Sequence, residues 1–139
     1  MFFSLISYNP LHAVGDRLHE IIYEYRKSTC IALQGTGRLS MLDAPVLQYK
    51  HCNFHVFEWG WKRRAKFSNK ACGVMIAICA RNFPCVRAVF SPPDGLAGRA
   101  GAVRVTRKDV DYLIVCLYLP PDPSKKCNRD CVNTTGNNS

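Results

Sequence analysis

The chain of 139 residues has 47% hydrophobic residues, and its 19 Lys+Arg against 10 Asp+Glu give a formal charge of +9. That length allows one domain, and this apolar fraction excludes disorder throughout. The longest apolar runs, such as 113–119, fall far short of the ~20 residues that a bilayer crossing needs, so no membrane partner is expected.

Phe2 to Tyr8 is short, apolar and rich in β-formers, which predicts a buried strand closed by Asn9-Pro10. No Lys or Arg precedes this run, so it is not read as a secretory signal, and a cytoplasmic or nuclear location is expected. Leu18, Ile21, Ile22 and Tyr25 then recur at helical spacing, with Arg17, Glu20, Glu24 and Lys27 on the other face. Asp16 is the expected N-cap of this amphipathic helix. Cys30-Ile31-Ala32-Leu33 is a second strand, stopped by Gln34-Gly35-Thr36-Gly37. Strand, helix and strand in succession predict a βαβ unit with parallel neighbours.

From residue 52 onward the pattern is of strands without helices. Cys52 to Trp59 alternates, and Ala71 to Ala80 is apolar enough for a central strand covered on both faces. Val86 to Phe90 and Gly98 to Arg107 read as two strands around Ser91-Pro92-Pro93-Asp94-Gly95. In the second, Val103 and Val105 face one way, and Arg104 and Thr106 the other. Tyr112 to Leu119 is again continuously apolar and is expected to be central. Pro120-Pro121-Asp122-Pro123 ends it, because proline cannot donate to a ladder. A domain over 1–123 and a polar tail over 124–139 follow, the tail holding Val132 as its one aliphatic residue.

Residues 1–49 are electrically balanced, so the whole excess of positive charge lies in 50–139. A basic surface favours polyanions, since each cation that neutralises a phosphate releases a counterion. Lys62-Arg63-Arg64-Ala65-Lys66, beside Trp59 and Trp61, is the best nucleic-acid contact: cations for phosphates, an indole to stack on an unpaired base. Arg99, Arg104, Arg107 and Lys108 extend the positive surface. The competing interpretation is an exposed turn whose tryptophans pack back onto the sheet. Cys30, Cys72, Cys79 and Cys116 sit in or beside apolar runs and read as small hydrophobes. His51, Cys52 and His55, together with Cys127 and Cys131, lack the spacing of a zinc finger.

Three strand ends stand out: Ser7-Tyr8-Asn9, Leu33-Gln34-Gly35-Thr36, and Cys116-Leu117-Tyr118-Leu119-Pro120. With Gly73 to Ile78 and Gly98-Arg99-Ala100-Gly101-Ala102-Val103 between them, their order resembles the endonuclease/exonuclease/phosphatase superfamily. These are the deoxyribonuclease-I-like phosphodiesterases, and the likeness is nearest to the domains of retroelement endonucleases. The resemblance implies an α+β chain with a mixed β-sheet and one clear amphipathic helix, forming the first half of a four-layer α/β/β/α sandwich. It further implies Mg²⁺ held in part by Asn9, and Tyr118 at a scissile phosphate.

Where the family has a metal-binding glutamate, this chain has Gly35. The family's later Asp-x-Asn and Asp-His segments do not occur, and the four histidines (12, 19, 51 and 55) all lie early. Phosphodiester hydrolysis needs positioned acid and base groups, so Asn9 and Tyr118 are read as vestigial and Mg²⁺ as unbound. The expected function is a truncated, inactive domain descended from Mg²⁺-dependent phosphodiesterases acting on nucleic acid. Alternatives are a non-catalytic basic nucleic-acid-binding module and a non-functional gene fragment. A half-complete sandwich would also leave sheet surface uncovered, and self-association through it is expected.

Overall fold

The computed structural model describes residues 3–10, 14–40 and 44–119. The tail, with Cys127 and Cys131, and His12 lie outside them. Eight strands follow in order: β1 (Leu5–Tyr8), β2 (Cys30–Gln34), β3 (Leu47–His51), β4 (Phe54–Trp59), β5 (Val74–Cys79), β6 (Cys85–Phe90), β7 (Ala100–Arg107) and β8 (Val110–Leu117). The helix α1 (Leu18–Glu24) lies between β1 and β2. The fold is therefore α+β, mostly strands with one short helix. No helix among the described residues is long and apolar enough to cross a membrane.

The strands form a five-stranded sheet in the order β1-β2-β5-β4-β3 and a three-stranded sheet in the order β6-β7-β8. β1 and β2 are parallel, as a βαβ crossover requires, and the remaining pairs are antiparallel. Strand alternation builds two cores from one sheet. Ile31, Leu33, Val56, Met75 and Ala77 point towards Leu18, Ile21 and Ile22 of α1. Ala32, Phe57, Trp59, Val74 and Ile76 point the other way, onto Val103, Val105 and Cys116 of the small sheet. Helix, large sheet and small sheet are thus three stacked layers, each fully buried aliphatic contributing about 1.5–3 kcal/mol. All six residues of β5 are buried, and it lies in the middle of its sheet, as its composition predicts.

Several expectations fail for identifiable reasons. β1 is an edge strand rather than a buried one, with Leu5 exposed, because among the described residues only β2 pairs with it. Asp16 does not cap α1: it sits inside a 3₁₀ turn, Gly15–Arg17, that leads into the helix without a side-chain cap bond. β3 is missed by apolar patterning because it is a polar edge strand. β8 is not central: among the described residues it borders only β7. Its continuous apolar run arises because Ile114 and Cys116 face the core while Leu113, Val115 and Leu117 lie on a bare outer face.

Candidate functional site

The C-terminal ends of β1 and β2 and the segment after β8 meet at one rim. Gly35 has φ +71°, and a Cβ there would stand 3.0 Å from Asn9 Oδ1, 3.0 Å from Tyr118 Cε1 and 3.4 Å from the Ala71 carbonyl oxygen. Three positions far apart in sequence therefore converge on the space above one glycine. Gln34 ties the rim to both sheets, its Nε2 donating to Ser7 Oγ at 3.1 Å and to Cys116 Sγ at 3.3 Å. Thr36, which is buried, donates its backbone N–H to Gly73 O. Burial pushes the Cys116 thiol up to about 11 and Cys30 to about 12, which makes both poor nucleophiles.

Sequence inspection misplaces Arg99, which is buried rather than part of the positive surface. Its guanidinium lies 5.3 Å from the centre of the Tyr118 ring, and its Nε donates to Phe67 O at 2.9 Å. Its Nη1 is buried without a hydrogen-bond partner. The Tyr118 N–H donates to Arg99 O at 2.7 Å, so the two residues brace each other through backbone and ring. Arg99 thereby joins the rim to the loop that carries the basic residues.

Among the described residues, the donor set at the rim is a neutral amide oxygen, a phenol and a nearby guanidinium. It does not fit Mg²⁺, which takes carboxylate oxygens in octahedral array and is repelled by a cation. No group of three or more His, Cys, Asp or Glu capable of holding a metal occurs among the described residues. His51 and His55 do not converge, because His51 pairs with Phe54 on the helix side of the sheet and His55 lies on the opposite face of β4.

In the basic loop, Arg63, Arg64 and Lys66 are exposed and Lys62 is half-buried. Lys62 Nζ lies 3.4 Å from Asp94 Oδ1, and its N–H donates to Ser68 Oγ. Ser68 Oγ in turn donates to Ala97 O at 2.6 Å, and the Phe67 N–H to Gly95 O at 2.8 Å. These bonds fix the loop against the turn after β6. The Arg63 guanidinium is 5.9 Å from the centre of the Trp61 ring, whose Nε1 donates to Gly37 O. Trp61 is thus pinned to the rim at one edge and half-exposed. Trp59 is unavailable for stacking: it is buried between the sheets, with Nε1 donating to Ser91 Oγ.

A second polar cluster lies on the helix side. Glu58, buried on β4, accepts from Arg38 Nε at 2.9 Å and from the Tyr49 hydroxyl at 2.5 Å. Arg38 also donates to Gly15 O at 2.7 Å. His19 Nε2 bonds Tyr49 Oη at 3.0 Å, and the His19 ring stacks on His51 with centroids 4.1 Å apart. This network fastens α1 to the β3 edge, and each Glu58 oxygen accepts from Arg38 or Tyr49.

Compared with known proteins, the chain matches no protein-family model and no curated protein.

Proposed function

We propose that the chain is a non-hydrolysing nucleic-acid-binding domain on a deoxyribonuclease-I-like α/β/β/α scaffold, descended from Mg²⁺-dependent phosphodiesterases. The observation that carries this reading is the convergence of Asn9 and Tyr118 over Gly35, beside an exposed run of cations. A phosphodiesterase rim needs anionic ligands for its metal. Here the corresponding position has no side chain, and the buried guanidinium of Arg99 stands 5.3 Å from the centre of the Tyr118 ring. Metal-assisted activation of water is therefore absent from the reading. What the rim and loop offer is attraction for phosphates from Arg63, Arg64 and Lys66, with Trp61 at the loop's base as a stacking surface.

The test pairs cleavage with binding on the full chain. Supercoiled plasmid with Mg²⁺ should stay intact, while fluorescein-labelled single- and double-stranded oligonucleotides should bind with affinity falling steeply in salt. Arg63→Ala with Arg64→Gly and Lys66→Ala should flatten that salt slope by about one to three counterions. Arg64 already has φ +67°, so glycine there relieves the backbone and keeps the loop's shape. Metal-dependent nicking that disappears in Asn9→Ala would refute the non-hydrolysing half of the reading. Failure to bind any oligonucleotide at low salt would refute the other half.

A further inference from the structure

The pole of the molecule opposite the Gly35 rim carries a second concentration of positive charge. β2 and β4 both run antiparallel to β5, so their starts lie beside its end, with Cys30 opposite Ile78 and Phe54 opposite Cys79. Three connections meet there: the one after α1, the turn Cys52-Asn53 between β3 and β4, and the one after β5. Backbone bonds tie them together. The Cys79 N–H donates to Thr29 O and the Ala80 N–H to Asn53 O, both at 2.8 Å, and the Phe83 N–H donates to Cys79 O at 2.9 Å. Positive φ at both Cys52 (+50°) and Asn53 (+64°) closes the β3–β4 turn tightly.

Between these connections lies a cleft of about 240 Å³, with Phe54 and Cys79 in its wall. Arg26 and Lys27 line it from the first connection, Asn53 from the second and Arg81 from the third. Among the described residues no Asp or Glu lines it, Glu24 at the end of α1 included. The Arg26 guanidinium is held 4.3 Å from the centre of the Tyr23 ring, and its Nη1 donates to Tyr23 O at 3.0 Å. Capping the carbonyl end of α1 accounts for Arg26. It does not account for Lys27 or Arg81, which are exposed and enter none of the ion pairs among the described residues.

We propose that this cleft is a binding site for a phosphate group, separate from the basic loop. Charge selects the ligand: three cations make a positive potential that no lining carboxylate offsets, and phosphate oxygens accept charge-assisted bonds from all three. A carboxylate, with one charge and two oxygens, would leave part of this donor set unmatched. Size selects a single phosphate group, because cavities for drug-sized molecules run from about 300 to 1,000 Å³. The backbone bonds between the connections hold the donors in place beforehand, which lowers the ordering cost of binding. At ~3.3 Å per residue the length of β2 sets the cleft roughly 17 Å from Gly35, so no single phosphate reaches both.

A free phosphate and a nucleic-acid backbone present the same group, and the test separates them. Backbone amide resonances of the ¹⁵N-labelled full chain are followed as sodium phosphate is added, with sodium chloride at matched ionic strength as control. Phosphate should shift the Asn53, Ala80 and Arg81 amides saturably, and chloride should not. Lys27→Gln with Arg81→Gln should weaken the response at least about tenfold. Both side chains are exposed and unpaired, so the thermal midpoint of this double variant should stay where it is. A second arm adds a single-stranded oligonucleotide to the chain carrying Arg63→Ala, Arg64→Gly and Lys66→Ala, whose loop no longer competes.

Shifts with inorganic phosphate that the glutamine pair removes would establish a site for the free ion. Shifts with the oligonucleotide alone, removed by the same pair, would establish a site for a backbone phosphodiester. Shifts that survive the glutamine pair, equal shifts from chloride, or no response to either ligand would overturn the proposal. The basic loop is tested by its own variants, so the two readings fail separately.

Discussion

The indole of Trp59 packs against the backbone of Gly101 across the two sheets, where any Cβ would overlap Trp59 Cδ2 and Cε3. The large residue is anchored by its own bond to Ser91 Oγ and is almost wholly buried, so it cannot swing aside. Gly101→Ala should therefore force the sheets apart and cost about 1–3 kcal/mol, the usual penalty of overpacking. Urea denaturation measures it. An unchanged midpoint would mean that the sheets are not in this contact.

Gly35→Glu is the obvious attempt to restore a metal ligand, and it should fail. A side chain at φ +71° is strained by about 1–2 kcal/mol, and the Cβ enters space already bounded by Asn9 and Tyr118. Gly35→Ala isolates that backbone cost, since it adds the Cβ without the charge. Both variants should lose a similar amount of stability, and calorimetric titration of Gly35→Glu with Mg²⁺ should give no binding heat.

The layered fold was largely legible because its signals are local and periodic. The stripe on α1, the solid apolar run of β5 and the alternation of Val103 and Val105 each answer to one burial environment. β8 misled for a physical reason: an apolar strand records that both faces avoid water, and not whether the chain itself covers them. The rim was legible only as three strand ends in order. Arg99 was not legible at all, since a lone arginine after glycine reads as surface until Tyr118 and Phe67 are seen to enclose it. Glu58 becomes readable only once Phe54 and Val56 are known to face the helix, because alternation then places it on the same side.

Glu58→Ala should be among the more damaging single changes. It removes the acceptor of both Arg38 and the Tyr49 hydroxyl, stranding a partly buried guanidinium and a phenol whose proton burial and Glu58 already hold more tightly than usual. Breaking a fully buried pair costs about 3–5 kcal/mol. Arg38 retains some access to water, which puts the loss nearer about 2 kcal/mol. Replacing the pair together, Arg38→Met with Glu58→Leu, should recover part of it, because no uncompensated charge remains. Equal losses in single and double variants would argue against the coupling.

Acid should loosen α1 from the edge of the large sheet. The Tyr49 hydroxyl proton goes to Glu58, so His19 Nε2 donates to Tyr49 Oη. The His19 pKa is lowered below 6.5 by burial first and the adjacent His51 second, with Glu58 and Asp16 opposing and Arg38 adding to the effect. His55 is lowered as well, by burial and then Lys50. In both cases the unfolded chain takes up a proton before the folded one does. Stability is therefore complete above the ordinary histidine range and falls as pH drops through about 6.5 towards the lower folded values. Thermal midpoints between pH 8 and pH 5 should follow that direction, and His19→Gln should flatten the curve. A midpoint that rises on acidification over this interval would contradict the lowered values of His19 and His55.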